Sequence, residues 1–139
     1  MLFRSYVVNI LSKKIPNNFH VGISDNHHKK KTDYPSGTAL ILANAVSKGK
    51  NKKFESIKGK FFLNKKGNLQ KNKINFFITR KGSTIGKHNI IFSNKTESIE
   101  LKHTAYSRKL FAEGAINAAI WIRKKNKGLF NMQDMLNLK

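Results

Sequence analysis

The sequence predicts an α+β domain, with helices packed on one face of a small mixed or antiparallel sheet of about four strands. Three observations carry that expectation. Apolar residues recur at helical spacing near the start of the chain, around residue 40 and again after residue 107. Three short runs rich in β-branched and aromatic residues follow one another between residues 74 and 104. A length of 139 residues suits one core, so residues 1–139 are read as a single domain.

The elements follow in order. Leu2, Phe3, Tyr6, Val7, Ile10 and Leu11 give the first fourteen residues an amphipathic helical pattern that must end before Pro16. Residues 19–24 alternate as a short strand, and the polar, basic stretch from Asp25 to Gly37 reads as a loop. Pro35 precedes a second helix, which opens at Ser36-Gly37-Thr38 and runs through Ala39, Leu42, Ala43 and Val46. Residues 48–73 hold ten Lys and three Gly and read as a solvated connection, with Phe61–Leu63 as a short strand inside it. Residues 74–80, 87–93 and 98–104 are expected to form an antiparallel meander, turning near Gly82 and Gly86 and again at 94–97. The longest helix is expected over 107–125. Its broad face of Leu110, Phe111, Ala115, Ala118, Trp121 and Ile122, with Gly114 among them, is expected to pack on the sheet. Residues 131–136 add one helical turn.

Composition bounds the function. The formal charge is +21, which first suggests nucleic acid, but 24 of the 28 basic residues are Lys and 4 are Arg. Base-edge and bidentate phosphate contacts favour Arg. Lys, Asn, Ile and Phe, all spelled by A/T-rich codons, make up 64 of the 139 residues, so coding bias alone accounts for much of the charge. No specific nucleic-acid role is assigned. The chain has no Cys, which excludes disulfides, Cys-ligated zinc and iron–sulfur clusters and is compatible with a reducing cytoplasm. Apolar runs are too short for a membrane span, and Arg4 interrupts the N-terminal apolar stretch, which is not read as a signal peptide.

The stretch from Asp25 to Leu40 carries the chemistry. A Ser36-Gly37-Thr38 helix start combines the positive end of a helix dipole with two hydroxyls, and Gly37 lets a ligand approach the backbone. His27 and His28 lie upstream with Lys31; histidine can transfer a proton near neutral pH and lysine supplies fixed positive charge. A small anion that needs a proton delivered fits this set. The plainer alternatives are a simple helix cap and a solvated run of cations. Metal is not expected, because adjacent His27 and His28 point apart and no third ligand stands out.

The pattern His27-His28-x-x-Lys31-x-Asp33-x-Pro35-Ser36-Gly37-Thr38-Ala39 resembles the signature of the dihydrodipicolinate (4-hydroxy-tetrahydrodipicolinate) reductase family. Arg80-x-Gly82-x-x-x-Gly86-x-His88 is similar to that family's hairpin. Glu100-x-x-His103-x-Ala105-x-Ser107-Arg108-x-x-Phe111-Ala112-x-Gly114-Ala115 resembles its last strand and long helix. Gly128-Leu129-Phe130-x-Met132-x-Asp134-x-Leu136 resembles its C-terminal end. The chain departs from the pattern at Asp25, where the family usually has Glu, at Tyr34, where Ala is frequent, and near Gly22, which replaces a Glu.

The resemblance implies the substrate-binding and oligomerisation domain of an oxidoreductase of lysine and diaminopimelate biosynthesis. It implies His27 as general acid and Lys31 as second proton donor or substrate ligand. It further implies His28, Ser36, Gly37 and Thr38 as ligands of a small dicarboxylate substrate. Lys29, Lys30 and Lys31 are expected to lower the His27 pKa until that dicarboxylate binds. The family's cofactor is NADPH or NADH, bound by a glycine-rich Rossmann turn. No three glycines here have the G-x-G-x-x-G spacing, so no dinucleotide-binding domain is expected in this chain, and a separate dinucleotide-binding chain is a possible partner. A homotetramer and a cytoplasmic location complete the expectation. The rival readings are a non-catalytic remnant that only oligomerises and a basic nucleic-acid-binding module.

Overall fold

The computed structural model describes residues 2–138; Met1 and Lys139, the ends of the expected domain, lie outside it, as does the side chain of Leu2. The elements run α1 (Leu2–Lys14), β1 (His20–His27), α2 (Gly37–Gly49), α3 (Phe54–Ile57), β2 (Lys58–Leu63), β3 (Ile74–Arg80), β4 (Gly86–Ser93), β5 (Ser98–Ala105), α4 (Lys109–Ile122) and α5 (Met132–Met135). The class is α+β as expected. The sheet is mixed and has five strands rather than about four, because residues 58–63 form a full strand instead of a mostly irregular connection.

The strand order is β2-β3-β1-β4-β5. This corrects the expected meander. β1 lies between β3 and β4, parallel to the first and antiparallel to the second, and only β4–β5 is a hairpin of the expected kind. The local spacing of residues 74–93 suits a hairpin equally well; β1 takes the central place, where its backbone is paired on both edges and Val21 and Ile23 enter the core.

One face of the sheet is the core. Val21 and Ile23 of β1, Ile74, Phe76 and Ile78 of β3, and Ile90 and Phe92 of β4 are buried together under Ala39, Leu42, Ala43 and Val46 of α2. Helix α1 then packs on α2 rather than on the sheet. Its buried stripe is Ser5, Val8, Ser12 and Ile15, at i, i+3, i+7 and i+10, whereas Phe3 and Ile10 are exposed. The expected apolar face is therefore rotated. The two helices approach through small residues: a Cβ placed on Gly49 would stand 2.5 Å from Ser12 Cβ and 2.6 Å from the Asn9 carbonyl oxygen.

Helix α4 forms where expected but does not pack on the sheet. None of its residues is buried, and Leu110, Phe111, Ile116, Ile120 and Ile122 are exposed. The core face of the sheet is covered by α2, and α4 meets the rest of the chain through α5, with Trp121 edge-on to Phe130 at 5.6 Å, and through Phe111 on the wall of a cavity. Asn131 caps α5 and forms a reciprocal capping box with Asp134.

Candidate functional site

The site is the polar continuation of the core face. Along β1 the buried side chains alternate as Val21, Ile23, Asp25, His27, so the residues after Ile23 point the same way as the core and emerge at the strand's carboxyl end. The strand was expected to stop at Ser24. It continues to His27 because Asp25 and His27 pair with Ile78 and Arg80 of β3, and Asp25 also pairs with His88 of β4. Ladder bonds on both edges outweigh the polarity of those side chains.

Register then brings distant residues into two rows. Ile78, Asp25, His88 and His103 share one row across β3, β1, β4 and β5; Gly86 and Ala105 are partners in the next, beside His27 and Arg80. Asp25 is the hub. It has no solvent exposure, and its Oδ2 accepts from the Ser36 backbone N–H at 2.7 Å and from Arg80 Nη2 at 3.1 Å. Its Oδ1 lies 2.9 Å from His27 Nδ1, off hydrogen-bonding alignment, and 3.3 Å from His88 Nε2. Burial would raise its pKa, but the donors from His88, Ser36 and Arg80 outweigh this and hold it well below the usual carboxylate range.

Arg80 ties the segment down. It donates to the backbone carbonyl oxygens of Asp25 at 2.8 Å and Asp33 at 2.9 Å, joining the end of β1 to the turn before α2. Ser36 caps α2: its Oγ accepts from the Ala39 N–H at 3.3 Å and lies 3.0 Å from His88 Nε2. Ser36 is thus engaged inside the protein, while Gly37 has open space over it, with nothing within 4 Å of a Cβ built there.

His27 is nearly buried, with Nδ1 toward Asp25 and Nε2 toward Gly86, where a Cβ would stand 3.3 Å from Nε2. Its pKa is pushed down to about 4. Burial is the first cause; Asp25 opposes it, and His88, Arg80 and Lys31 add to it. This corrects the expected cause. Lys29 and Lys30 are exposed and take no part, and Lys31 contributes least among the named causes.

Beside this cluster is a cavity of about 200 Å³ lined by His27, His28, Lys31, Thr38, Gly86 and His88, with Arg4, His103 and Phe111 on its other walls. It brings together the expected residues His27, His28, Lys31 and Thr38; Gly37 and Ser36 adjoin it in the chain without lining it. Lys31 Nζ also donates to both carboxylate oxygens of exposed Asp33, at 2.7 and 2.8 Å. Sequence reasoning gave no role to Asp25, Arg80, His88, His103 or Arg4. The first four were visible only as positions in the motifs, and Arg4 only as an interruption of an apolar stretch.

A metal ligand set exists on paper, though not the adjacent histidines. Asp25, His27 and His88 offer ligand atoms within 4.8 Å of one another. The Arg80 guanidinium already occupies Asp25 Oδ2, and a cation there would meet it at close range, so the set is better matched to proton handling than to a metal.

Fold and cavity together define a class: a mixed-sheet α+β domain that carries a histidine-rich, strongly basic cavity at the carboxyl end of its central strand. The family model described as "Dihydrodipicolinate reductase, C-terminus" matches residues 2–136. Curated relatives named 4-hydroxy-tetrahydrodipicolinate reductase include that of Pelagibacter ubique, 44% identical over 134 residues, which cover 96% of this chain and 52% of that protein. Those of Buchnera aphidicola subsp. Cinara cedri and Clostridium tetani are 43% and 42% identical, over 91% of this chain and 46% and 49% of theirs. The solved structure titled "Dipicolinate bound Dihydrodipicolinate reductase from Paenisporosarcina sp. TG-14" shares the fold, with a TM-score of 0.65 at 21% identity over 96% of this chain and 51% of that one. The chain belongs to the dihydrodipicolinate reductase family and corresponds to its C-terminal domain. It spans about half the length of the curated relatives it matches.

Proposed function

We propose that this chain is the substrate-binding half of a reductase that converts a small cyclic dicarboxylate of the imine type to tetrahydrodipicolinate. The observation that carries the reading is the cavity. Five basic side chains and Thr38 of the α2 amino end converge on it with His27, and no Asp or Glu is among its described lining residues. A dianion is the ligand such a wall accepts.

The residues divide the work. Thr38, which lines the cavity at the positive end of α2, holds one carboxylate, and Gly37 beside it puts no side chain in the way of the backbone N–H groups. Ser36 supports that end by capping the helix. Lys31 and His28 draw the substrate in, and Lys31 exchanges Asp33 for a substrate carboxylate. His27 is the general acid. In the empty cavity its low pKa keeps it neutral; two carboxylates beside it favour the imidazolium, so the proton is loaded through Nε2 when substrate is present. The hydride comes from NADPH or NADH. In this reading the cofactor is held by a dinucleotide-binding half, in a longer chain or a separate one, through a glycine turn that brings its pyrophosphate to a helix amino end. Homotetramer formation is part of the same reading, supported by the apolar side chains that α4 leaves exposed.

Calorimetric titration with pyridine-2,6-dicarboxylate tests the site. Saturable binding is expected, and Thr38→Val is expected to weaken it by about 1.5–3 kcal/mol. Thr32→Val, at an exposed position that does not line the cavity, is expected to leave it unchanged. Equal losses in the two variants would count against the α2 cradle. Tight sequence-selective binding to DNA or RNA, with no affinity for the dicarboxylate, would favour the nucleic-acid reading instead.

A further inference from the structure

The cavity has a wall that the proposed roles leave unused. Arg4 comes from α1 and His103 from β5, which β4 separates from β1. Arg4 Nη1 is buried and has no hydrogen-bond partner; His103 Nδ1 is in the same condition. Among the described residues no carboxylate forms an ion pair with Arg4. A guanidinium nitrogen withdrawn from water without an acceptor is costly, and so is an unpaired imidazole nitrogen beside it. Burial lowers the pKa of both groups, and Arg4 and His88 lower that of His103 further. Each of these costs is relieved by an anion in the cavity.

Placement says which part of an anion. The amino end of α2 stands over the β1–β4 side of the cavity, where Ser36 meets His88. His103 is the cross-strand partner of His88 one strand further out. For a ligand seated on α2 by one carboxylate, His103, one strand out from His88, and Arg4 are among the lining side chains left to meet its other end. Two lining side chains, Arg4 and Lys31, carry permanent positive charge, which matches a dianion.

We propose that Arg4 and His103 form a second anion seat, which takes the carboxylate of the ligand remote from α2 and so selects dicarboxylates over monocarboxylates. This rests on the dicarboxylate reading of the cavity. Arg4 supplies a planar pair of donors that suits a carboxylate, and His103 supplies a third donor once protonated.

The test compares pyridine-2,6-dicarboxylate with pyridine-2-carboxylate by calorimetry at fixed ionic strength. Arg4→Met is expected to lower affinity for the dicarboxylate at least about tenfold and to change that for the monocarboxylate less than about twofold. Arg4→Lys should recover part of the loss, and Lys13→Met, which removes the same charge from an exposed position of α1, should match the unaltered protein. In the unaltered protein the imidazole NMR signals of His103 should move with the dicarboxylate and stay with the monocarboxylate, a readout that stands even where Arg4→Met fails to fold. Equal affinities of Arg4→Met and the unaltered protein for the dicarboxylate, or equal His103 shifts with both ligands, would overturn the second seat and leave the α2 seat intact. No saturable binding of either ligand by the unaltered protein would overturn the dicarboxylate reading itself, and the second seat with it.

Discussion

A carboxylate without solvent contact needs donors, and Asp25 draws them from a helix start, a neighbouring strand and a second neighbouring strand. Its position also fixes which nitrogen of His27 meets the cavity. The cost of that arrangement is acid lability. His27 titrates at about 4 in the folded protein and near 6.5 when unfolded, so the unfolded chain takes the proton first. Stability from this residue is present above about pH 6.5 and is lost as pH falls toward 4. Asp25, held below the usual carboxylate range, adds loss at still lower pH. The urea midpoint is therefore expected to fall between pH 6.5 and 4, and His27→Gln is expected to flatten that fall. An unchanged pH dependence in the variant would show that His27 is open to solvent. A second residue-scale prediction concerns Gly86. Gly86→Ala places a methyl group against Nε2 and is expected to weaken dicarboxylate binding, measured by titration, more than it lowers the melting temperature.

Elements meet here through small residues. The α1–α2 crossing depends on Ser5, Ser12, Ala45 and Gly49, and Asn9 Nδ2 donates to the Ala45 carbonyl oxygen at 3.2 Å. Close approach of two helices needs such residues, and an added methyl at Gly49 would press on both a side chain and a backbone oxygen. Gly49→Ala would gain about 1 kcal/mol of helix propensity in isolation. Overpacking costs about 1–3 kcal/mol, and contact with backbone cannot be relieved by a rotamer change, so the variant is expected to be less stable in urea. Greater stability would mean that the helices separate at small cost. The same crossing places Arg4 on the wall of the cavity, so a packing feature bears on the site.

At the scale of the molecule, α4 is the unfinished part. Its mean character is apolar, yet every residue is at least partly exposed, with Ile116 at 59% and Ile120 at 52%. Its exposed apolar side chains are the surface on which the proposed oligomer would form. The charge of +21 opposes self-association, and salt screens that opposition. Light scattering at moderate salt is expected to give a mass well above 15.9 kDa, and Ile116→Glu is expected to lower it. A monomer at every concentration would contradict oligomerisation. Fluorescence titration with NADPH is expected to show weak binding that fades with salt, as for any polycation meeting a polyphosphate. Micromolar binding indifferent to salt would reveal a dinucleotide site in this chain.

The sequence by itself determined the elements and the identity of several cavity residues. Periodicity located α1, α2, α4 and the strands at 74–80, 86–93 and 98–105 within a few residues, because these patterns are local. The motif around His27, Lys31 and Thr38 was legible for the same reason: its members lie within twelve residues of one another. Tertiary structure alone decided what is non-local. It placed β1 between β3 and β4, which extended the strand to His27 and set Asp25 beside His88. It turned α1 so that Ser5, Val8, Ser12 and Ile15 face inward, and left every residue of α4 at least partly exposed. It also brought Arg80 to Asp25, and His103 and Arg4 to the cavity, from three separate elements. Spacing along a chain records which side of an element a residue occupies; which element lies across from it depends on the competition of all faces for one core, and that is settled only when the whole chain is packed.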